Sequence, residues 1–186
     1  MYFSKTFNAK HELTMNLVGT YYKSDYDYRY SELSGGVTDF ETATNINLDK
    51  YSFIGEAVYN YNMKTAQLYV GSRYMYNNST QKNLPSNNRT LTNEIYSYLG
   101  IAGMLGKKFN YSVSAGVNGN IFTTIENKEY KFVYFRPQVK LGYFIDESSD
   151  LTFNYEVNTE NPAISSLTYN PYFKDANYLY VGNPNL

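Results

Sequence analysis

Phe109-Asn110-Tyr111-Ser112-Val113-Ser114-Ala115-Gly116-Val117-Asn118-Gly119-Asn120-Ile121 is the stretch that decides the fold class. Apolar residues take nearly every second position, and Asn, Ser and Gly take the positions between. A period of two puts one apolar and one polar face on an extended strand. The run is well beyond a typical strand of about 5–6 residues. It reaches the about 9–11 residues that a tilted membrane-crossing strand needs.

The same alternation recurs on both sides of it. It is cleanest where Leu151, Phe153, Tyr155 and Val157 interleave with Thr152, Asn154, Glu156 and Asn158. Val133, Phe135, Pro137, Val139, Leu141 and Tyr143 oppose Tyr134, Arg136, Gln138, Lys140 and Gly142, with Pro137 removing one ladder donor. Upstream, the runs are Ala66 to Tyr76, Tyr51 to Tyr61 and Leu13 to Tyr21, while Ile95 to Met104 is apolar on both faces around Leu99 and Ile101. Short polar links fall at Asn8 to His11, Asn62 to Lys64, Leu105 to Lys108 and Asp146 to Ser149. Between them lie longer polar stretches, 24–48, 77–93, 123–130 and 159–186. Alternating short and long connections are the signature of outer-membrane barrels, with periplasmic turns on one rim and extracellular loops on the other.

The expectation is therefore all-β: an antiparallel transmembrane β-barrel segment of about seven long up-and-down strands, with Met1 to Phe7 as the end of an earlier strand. Residues 1–186 are expected to form part of one barrel domain. Tyr51, Tyr61, Tyr76, Tyr96, Tyr130 and Tyr143 fall near strand ends, where a ring meets lipid and its hydroxyl meets headgroup water. A water-soluble β-sandwich gives the same alternation with the apolar face turned inward. Strand length and loop rhythm favour the barrel.

Composition agrees. Tyr (23) and Phe (11) are abundant, favouring strands, while Trp and Cys are absent. Without Cys there are no disulfides, zinc-thiolate sites or thiol nucleophiles. No run approaches the roughly 20 apolar residues of a membrane helix. A net charge of -1 without clustered Lys and Arg argues against nucleic acid as a partner. The N-terminus lacks a basic region followed by an apolar core, so no signal peptide is read, and both ends are expected to be cuts in a longer chain.

Asn161-Pro162-Ala163-Ile164-Ser165-Ser166-Leu167, Asn170-Pro171-Tyr172-Phe173 and Val181-Gly182-Asn183-Pro184-Asn185-Leu186 together resemble TonB-dependent receptors, particularly the barrel family common in Bacteroidetes. There, a Gly-Asn-Pro-Asn-Leu segment, here Gly182, Asn183, Pro184, Asn185 and Leu186, introduces a late barrel strand. Gly71-Ser72-Arg73-Tyr74 is similar to a Gly-x-Arg-Tyr on an upward strand of the same receptors. The resemblance implies a plugged barrel of about 22 strands. It implies location in the cell outer membrane, outer-membrane lipid as a partner, and active uptake of a scarce nutrient: siderophore, cobalamin, oligosaccharide or peptide. Contact with the TonB complex would pass through a plug that this chain does not contain. A passive porin-like or adhesion barrel, and a secreted soluble β-sandwich binding carbohydrate, are the other readings. Pro171 and Pro184 lack amide donors, and Asn183 and Asn185 form side-chain turns, so a structural role is expected for the motif.

Residues with chemistry are few. His11, the single histidine, stands in a turn beside Glu12, which supports neither a metal site nor a Ser-His-Asp triad. Asp25 and Asp27 lack the rest of a calcium loop. Asp146, Glu147 and Asp150 form an exposed acidic turn without a pocket to separate their pKa values. The Asn-x-Ser/Thr tripeptides at Asn78, Asn88 and Asn110 are assigned no role. No catalytic, cofactor or metal residues are expected, and the chain is read as a non-enzyme. On the polar face, Arg73, Arg136, Lys140, Glu56 and Glu156 would point into a lumen and are the candidates for ligand contact.

Overall fold

The computed structural model describes residues 1–83, 86–146, 148–158, 160–167, 172–175 and 178–183. Eight strands follow one another in the chain: β1 (Tyr2–Asn8), β2 (His11–Ser34), β3 (Val37–Asn62), β4 (Ala66–Asn83), β5 (Ser86–Leu105), β6 (Phe109–Thr123), β7 (Glu129–Phe144) and β8 (Asp150–Glu156). A short helix α1 (Ile164–Leu167) and a hairpin of β9 (Tyr172–Asp175) and β10 (Tyr178–Tyr180) come after them. Each of the eight pairs antiparallel with its sequence neighbours, in the order β1 to β8. The sheet is open, with β1 and β8 as its edges.

The up-and-down order and the short turns are those read from the sequence. Lys10 N–H donates to Asn8 Oδ1 (2.9 Å) in the first turn, and Gly106, at φ +65°, lets the β5–β6 connection close. Two of the expected long loops are absent. Residues 24–48 continue β2 and β3 to a two-residue turn at Gly35 and Gly36, both at positive φ. Residues 77–93 likewise continue β4 and β5, with Asn83 paired to Ser86. These stretches are rich in Asn, Ser, Thr and Asp, which looks like loop composition in a sequence. Each stretch still pairs along its length with one neighbouring strand, and a Gly-Gly dipeptide is a hairpin signal in its own right. The connection between β6 and β7 shrinks to Thr124–Lys128, turned by Asn127 at φ 59°.

Most apolar side chains share one face, which is exposed; among the described residues the other face is buried only on β4 to β7, and β1 and β8 are exposed on both. Phe3, Met15, Leu17, Phe53, Val70, Leu99, Val117, Val133, Phe135, Leu151 and Phe153, from all eight strands, are exposed on one face. Val133 is 78 % exposed and Leu99 67 %. The buried side chains of the sheet lie on the other face and are mostly polar: Gln81, Asn88, Thr90, Thr92, Glu94, Ser114, Asn118, Asn120 and Arg136, with Tyr96 and Phe122. Ile95 to Met104 resolves the same way, with Leu99 on the exposed face and Tyr96, Tyr98 and Gly100 on the polar one.

Tyr51, Tyr61, Tyr76 and Tyr143 share the apolar face, and Tyr21 and Tyr51 pack with ring centroids 4.8 Å apart; Tyr51 and Tyr76 lie inside β3 and β4 rather than near their ends, because both strands run on through the expected loops. Tyr96 and Tyr130 do not. Register sets both on the polar face, where Tyr96 is buried. The sequence segment that contains Tyr96 was apolar on both sides, so alternation alone gave no face to that ring.

Candidate functional site

Register lines up side chains from five strands in one lateral row on the polar face. Glu56 of β3 stands opposite Arg73 of β4, Arg73 opposite Tyr96 of β5, Tyr96 opposite Asn118 of β6, and Asn118 opposite Tyr134 of β7. Arg136 comes from the next row, where it faces Gly116. A Cβ at Gly116 would meet Tyr98 Cβ at 2.8 Å and the Tyr96 ring closer still. With glycine there, the Tyr96 ring lies close against β6, and the guanidinium of Arg136 stands over it, 4.5 Å from its centroid. Arg73 approaches the same ring at 5.9 Å, and Tyr98 stacks on it at 5.0 Å. A ring between two cations is a cation–π arrangement strengthened by burial.

Glu94 holds the centre. Its Oε1 accepts from Arg73 Nη2 (3.3 Å) and Asn118 Nδ2 (3.0 Å) and lies 3.8 Å from Arg136 Nη1. Arg136 also donates to Glu156 Oε1 (3.5 Å) and to the Val157 carbonyl (3.4 Å). Gln138 Nε2 donates to the same Glu156 oxygen at 2.9 Å. Glu56 accepts from the Tyr98 hydroxyl at 3.1 Å. Asn118, fully buried, donates a second time to Tyr134 Oη at 2.9 Å. Its Oδ1 and the Tyr96 hydroxyl are buried without a protein partner. Glu94 and Arg136 lie far from water, where charge persists only when paired and hydrogen-bonded, and here both are.

Of the five charged residues picked out from the sequence, Arg73, Arg136, Glu56 and Glu156 meet in this network. Lys140 does not: it is exposed and forms no ion pair among the described residues. Glu94, Tyr96, Tyr98 and Asn118 were missed. Glu94 follows immediately on the stretch 77–93 read as loop, so its alternation with Tyr96 and Tyr98 at positions i, i+2 and i+4 went unused.

Above this network the chain folds back across the polar face. Asn120 Nδ2 donates to Asn161 Oδ1 (2.9 Å), Leu167 at the end of α1 is fully buried, and the Asn183 amide donates to the Ser166 carbonyl (2.8 Å). Between this strap and the strands lies a cavity of about 530 Å³, reaching from Lys50 on β3 to Glu94 on β5. Of the closing motif, Gly182 and Asn183 follow β10, whereas Pro184, Asn185 and Leu186 lie outside the described residues.

At the opposite rim, His11 is not a bare solvated residue. Its Nδ1 is 2.5 Å from Tyr59 Oη, and its ring packs 5.0 Å from that of Tyr61. Asp25 and Asp27 lie within β2 beside Lys23 (3.7 Å) and Arg29 (4.0 Å). Among the described residues no group of three His, Cys, Asp or Glu converges as a metal site. Asp146 Oδ1 accepts from the Ser148 amide and hydroxyl, both at 2.9 Å. The amide above all holds the Asp146 carboxyl below the usual range. Glu147 lies outside the described residues. Comparison with protein-family models, with curated proteins and with solved structures returns no match in any of the three.

Proposed function

We propose that this chain builds part of the wall of an outer-membrane β-barrel, and that the barrel is a TonB-dependent receptor for active uptake of a scarce nutrient. One observation carries the membrane reading: large apolar side chains are exposed on one face of every strand, while the opposite face, where it is buried on β4 to β7, holds Glu94, Asn118 and Arg136. In water that arrangement forfeits the burial that drives folding, at about 25 cal/mol for each Å² of apolar surface left wet. Against lipid it costs nothing, and the polar side becomes a lumen wall where charge pairs across strands. A soluble sandwich needs a second layer over Leu99, Val117 and Phe135, and no described residue covers them.

The exposed apolar band on β5 runs from Ile95 to Leu105, the length of a membrane-crossing strand. Beyond it, the paired stretches rich in Asn, Ser, Thr and Asp would stand clear of the bilayer on the extracellular side. The receptor type rests on the resemblance of the closing segment, and the plug and the TonB contact belong to sequence other than this chain.

The absence of Trp makes a direct test simple. Leu99→Trp and Phe153→Trp place a single indole on the apolar face, and Asn154→Trp places one on the polar face one residue away. In vesicles of lipid brominated along the acyl chains, the first two are expected to be quenched and the third spared. Equal quenching at 153 and 154, or none at any position, would sink the reading.

A further inference from the structure

Building a wall gives no reason for the cavity under the strap, yet its floor is a row of hydrogen-bonding groups. β5 presents Thr90, Thr92 and Glu94 in succession, 7 %, 8 % and 7 % exposed, and all three line the cavity. β4 sets Ser79 opposite Thr90 and Asn77 opposite Thr92. Neither threonine hydroxyl has a side-chain partner among the described residues. All three polar contacts of Glu94 fall on Oε1, which leaves Oε2 to accept from the cavity.

Charge is divided along this row. Glu56, Glu94 and Glu156 face only Arg73 and Arg136, an excess of one carboxylate at the Glu94 end, and Glu160 in the strap adds another acid to the lining. At the far end Lys50, paired in register with Ser79, has no ion pair among the described residues. Four residues along β5 and two strands across give a Cα separation of about 16 Å between Lys50 and Glu94. Strand side chains stand roughly perpendicular to the sheet, so the tips keep about that separation; two hydrogen bonds of about 2.8 Å leave about 10 Å, the span of roughly three extended residues. The volume also lies within the about 300–1,000 Å³ of small-ligand sites.

We propose that this cavity binds a short peptide of about three residues with both termini free. Its ammonium group is received by Glu94 Oε2 and the Thr92 hydroxyl, its amides by Thr90, Ser79 and Asn77, and its carboxylate by Lys50. A neutral saccharide fits less well. Phe122, the aromatic ring in the lining, is 4 % exposed and offers no open face for stacking, and opposite charges at the two ends match a zwitterion. The site rests on reading the polar face as the lumen side.

The test is calorimetric titration of the chain folded in lipid, after the quenching experiment, with trialanine, N-acetyl-trialanine and maltotriose as probes. Trialanine is expected to bind, and N-acetyl-trialanine to bind at least about 10-fold more weakly, because a charge-assisted hydrogen bond is lost. Thr92→Val should weaken trialanine by about 3- to 10-fold. Lys50→Gln should weaken trialanine and leave trialanine amide unchanged. Equal affinity for the acetylated peptide, binding of maltotriose alone, or no binding overturns the site while the membrane reading stands. A chain that fails the quenching test overturns both.

Discussion

Glu94→Gln removes the one carboxylate that joins Arg73, Asn118 and Arg136 and leaves shape and hydrogen-bond acceptor in place. The Arg136 side chain is 6 % exposed, and at 3.8 Å its attraction to Glu94 is about 4 kcal/mol for an effective dielectric constant near 20. Breaking one half of a buried pair costs about 3–5 kcal/mol. Glu156 remains 3.5 Å from Arg136 and holds part of that charge, so the lower end, about 3 kcal/mol, is expected. Arg73 is more than a third exposed, and its share is within the about 0–1 kcal/mol of a surface pair. Urea unfolding of the lipid-embedded chain, followed by tyrosine fluorescence, reads the loss. A double-mutant cycle with Arg136→Met isolates the pair and should give a coupling of about 2 kcal/mol, whereas a cycle with Lys140→Met should give under about 0.5. A Glu94–Arg136 coupling as small as the Lys140 control would refute the network.

Gly100→Ala would set a Cβ 2.5 Å from Tyr69 Oη and 2.7 Å from Ser114 Cβ, so a loss of about 1–3 kcal/mol is expected in the same unfolding assay. Gly36→Ala forces alanine to φ +82° in the β2–β3 turn, a cost of about 1–2 kcal/mol; faster amide exchange at the tips of β2 and β3 checks it. Because the Asp146 carboxyl is held below its ordinary value, its stabilisation of the β7–β8 turn is complete above the unfolded-state pKa and is lost as pH falls through the lower folded-state value. The Ser148 amide NMR shift should therefore titrate below pH 3.8, and Asp146→Asn should abolish the titration; an inflection at the ordinary carboxylate value would contradict the bond.

Much of the sheet was legible because period-two alternation is local, as at Leu151 to Val157, and because the turns at Asn8, Asn62 and Leu105 interrupt it. What alternation cannot report is where a strand ends once Asn, Ser, Thr and Asp dominate it. Ser24 to Ser34 reads as loop by composition and folds as strand because β3 lies alongside and pairs with it. The same blindness hid Glu94. Four of the five charged residues picked from the polar face do meet, since register converts parity into neighbourhood, but parity cannot say how far along a strand a side chain reaches. Arg136 reaches Glu94 beside the Tyr96 ring, and that ring has room only because Gly116 lacks a Cβ; no pattern within β7 signals a glycine on β6.

The two readings that the sequence left open, barrel wall and soluble sandwich, differ in one physical respect: which face of the same strands is out of water. Among the described residues the buried apolar side chains are Tyr96, Phe122 and Leu167, and Tyr96 packs between Arg136, Arg73 and the Tyr98 ring. The buried charged network does not replace a hydrophobic core, because desolvating Glu94 and Arg136 offsets much of their attraction. It fixes register instead. A one-residue slip between β5 and β6 would turn Asn118 to the apolar face and break its bonds to both Glu94 and Tyr134. A two-residue slip leaves every side chain on its own face, so specificity between those registers has to come from particular partners on the polar side. The row from Glu56 to Tyr134 supplies it.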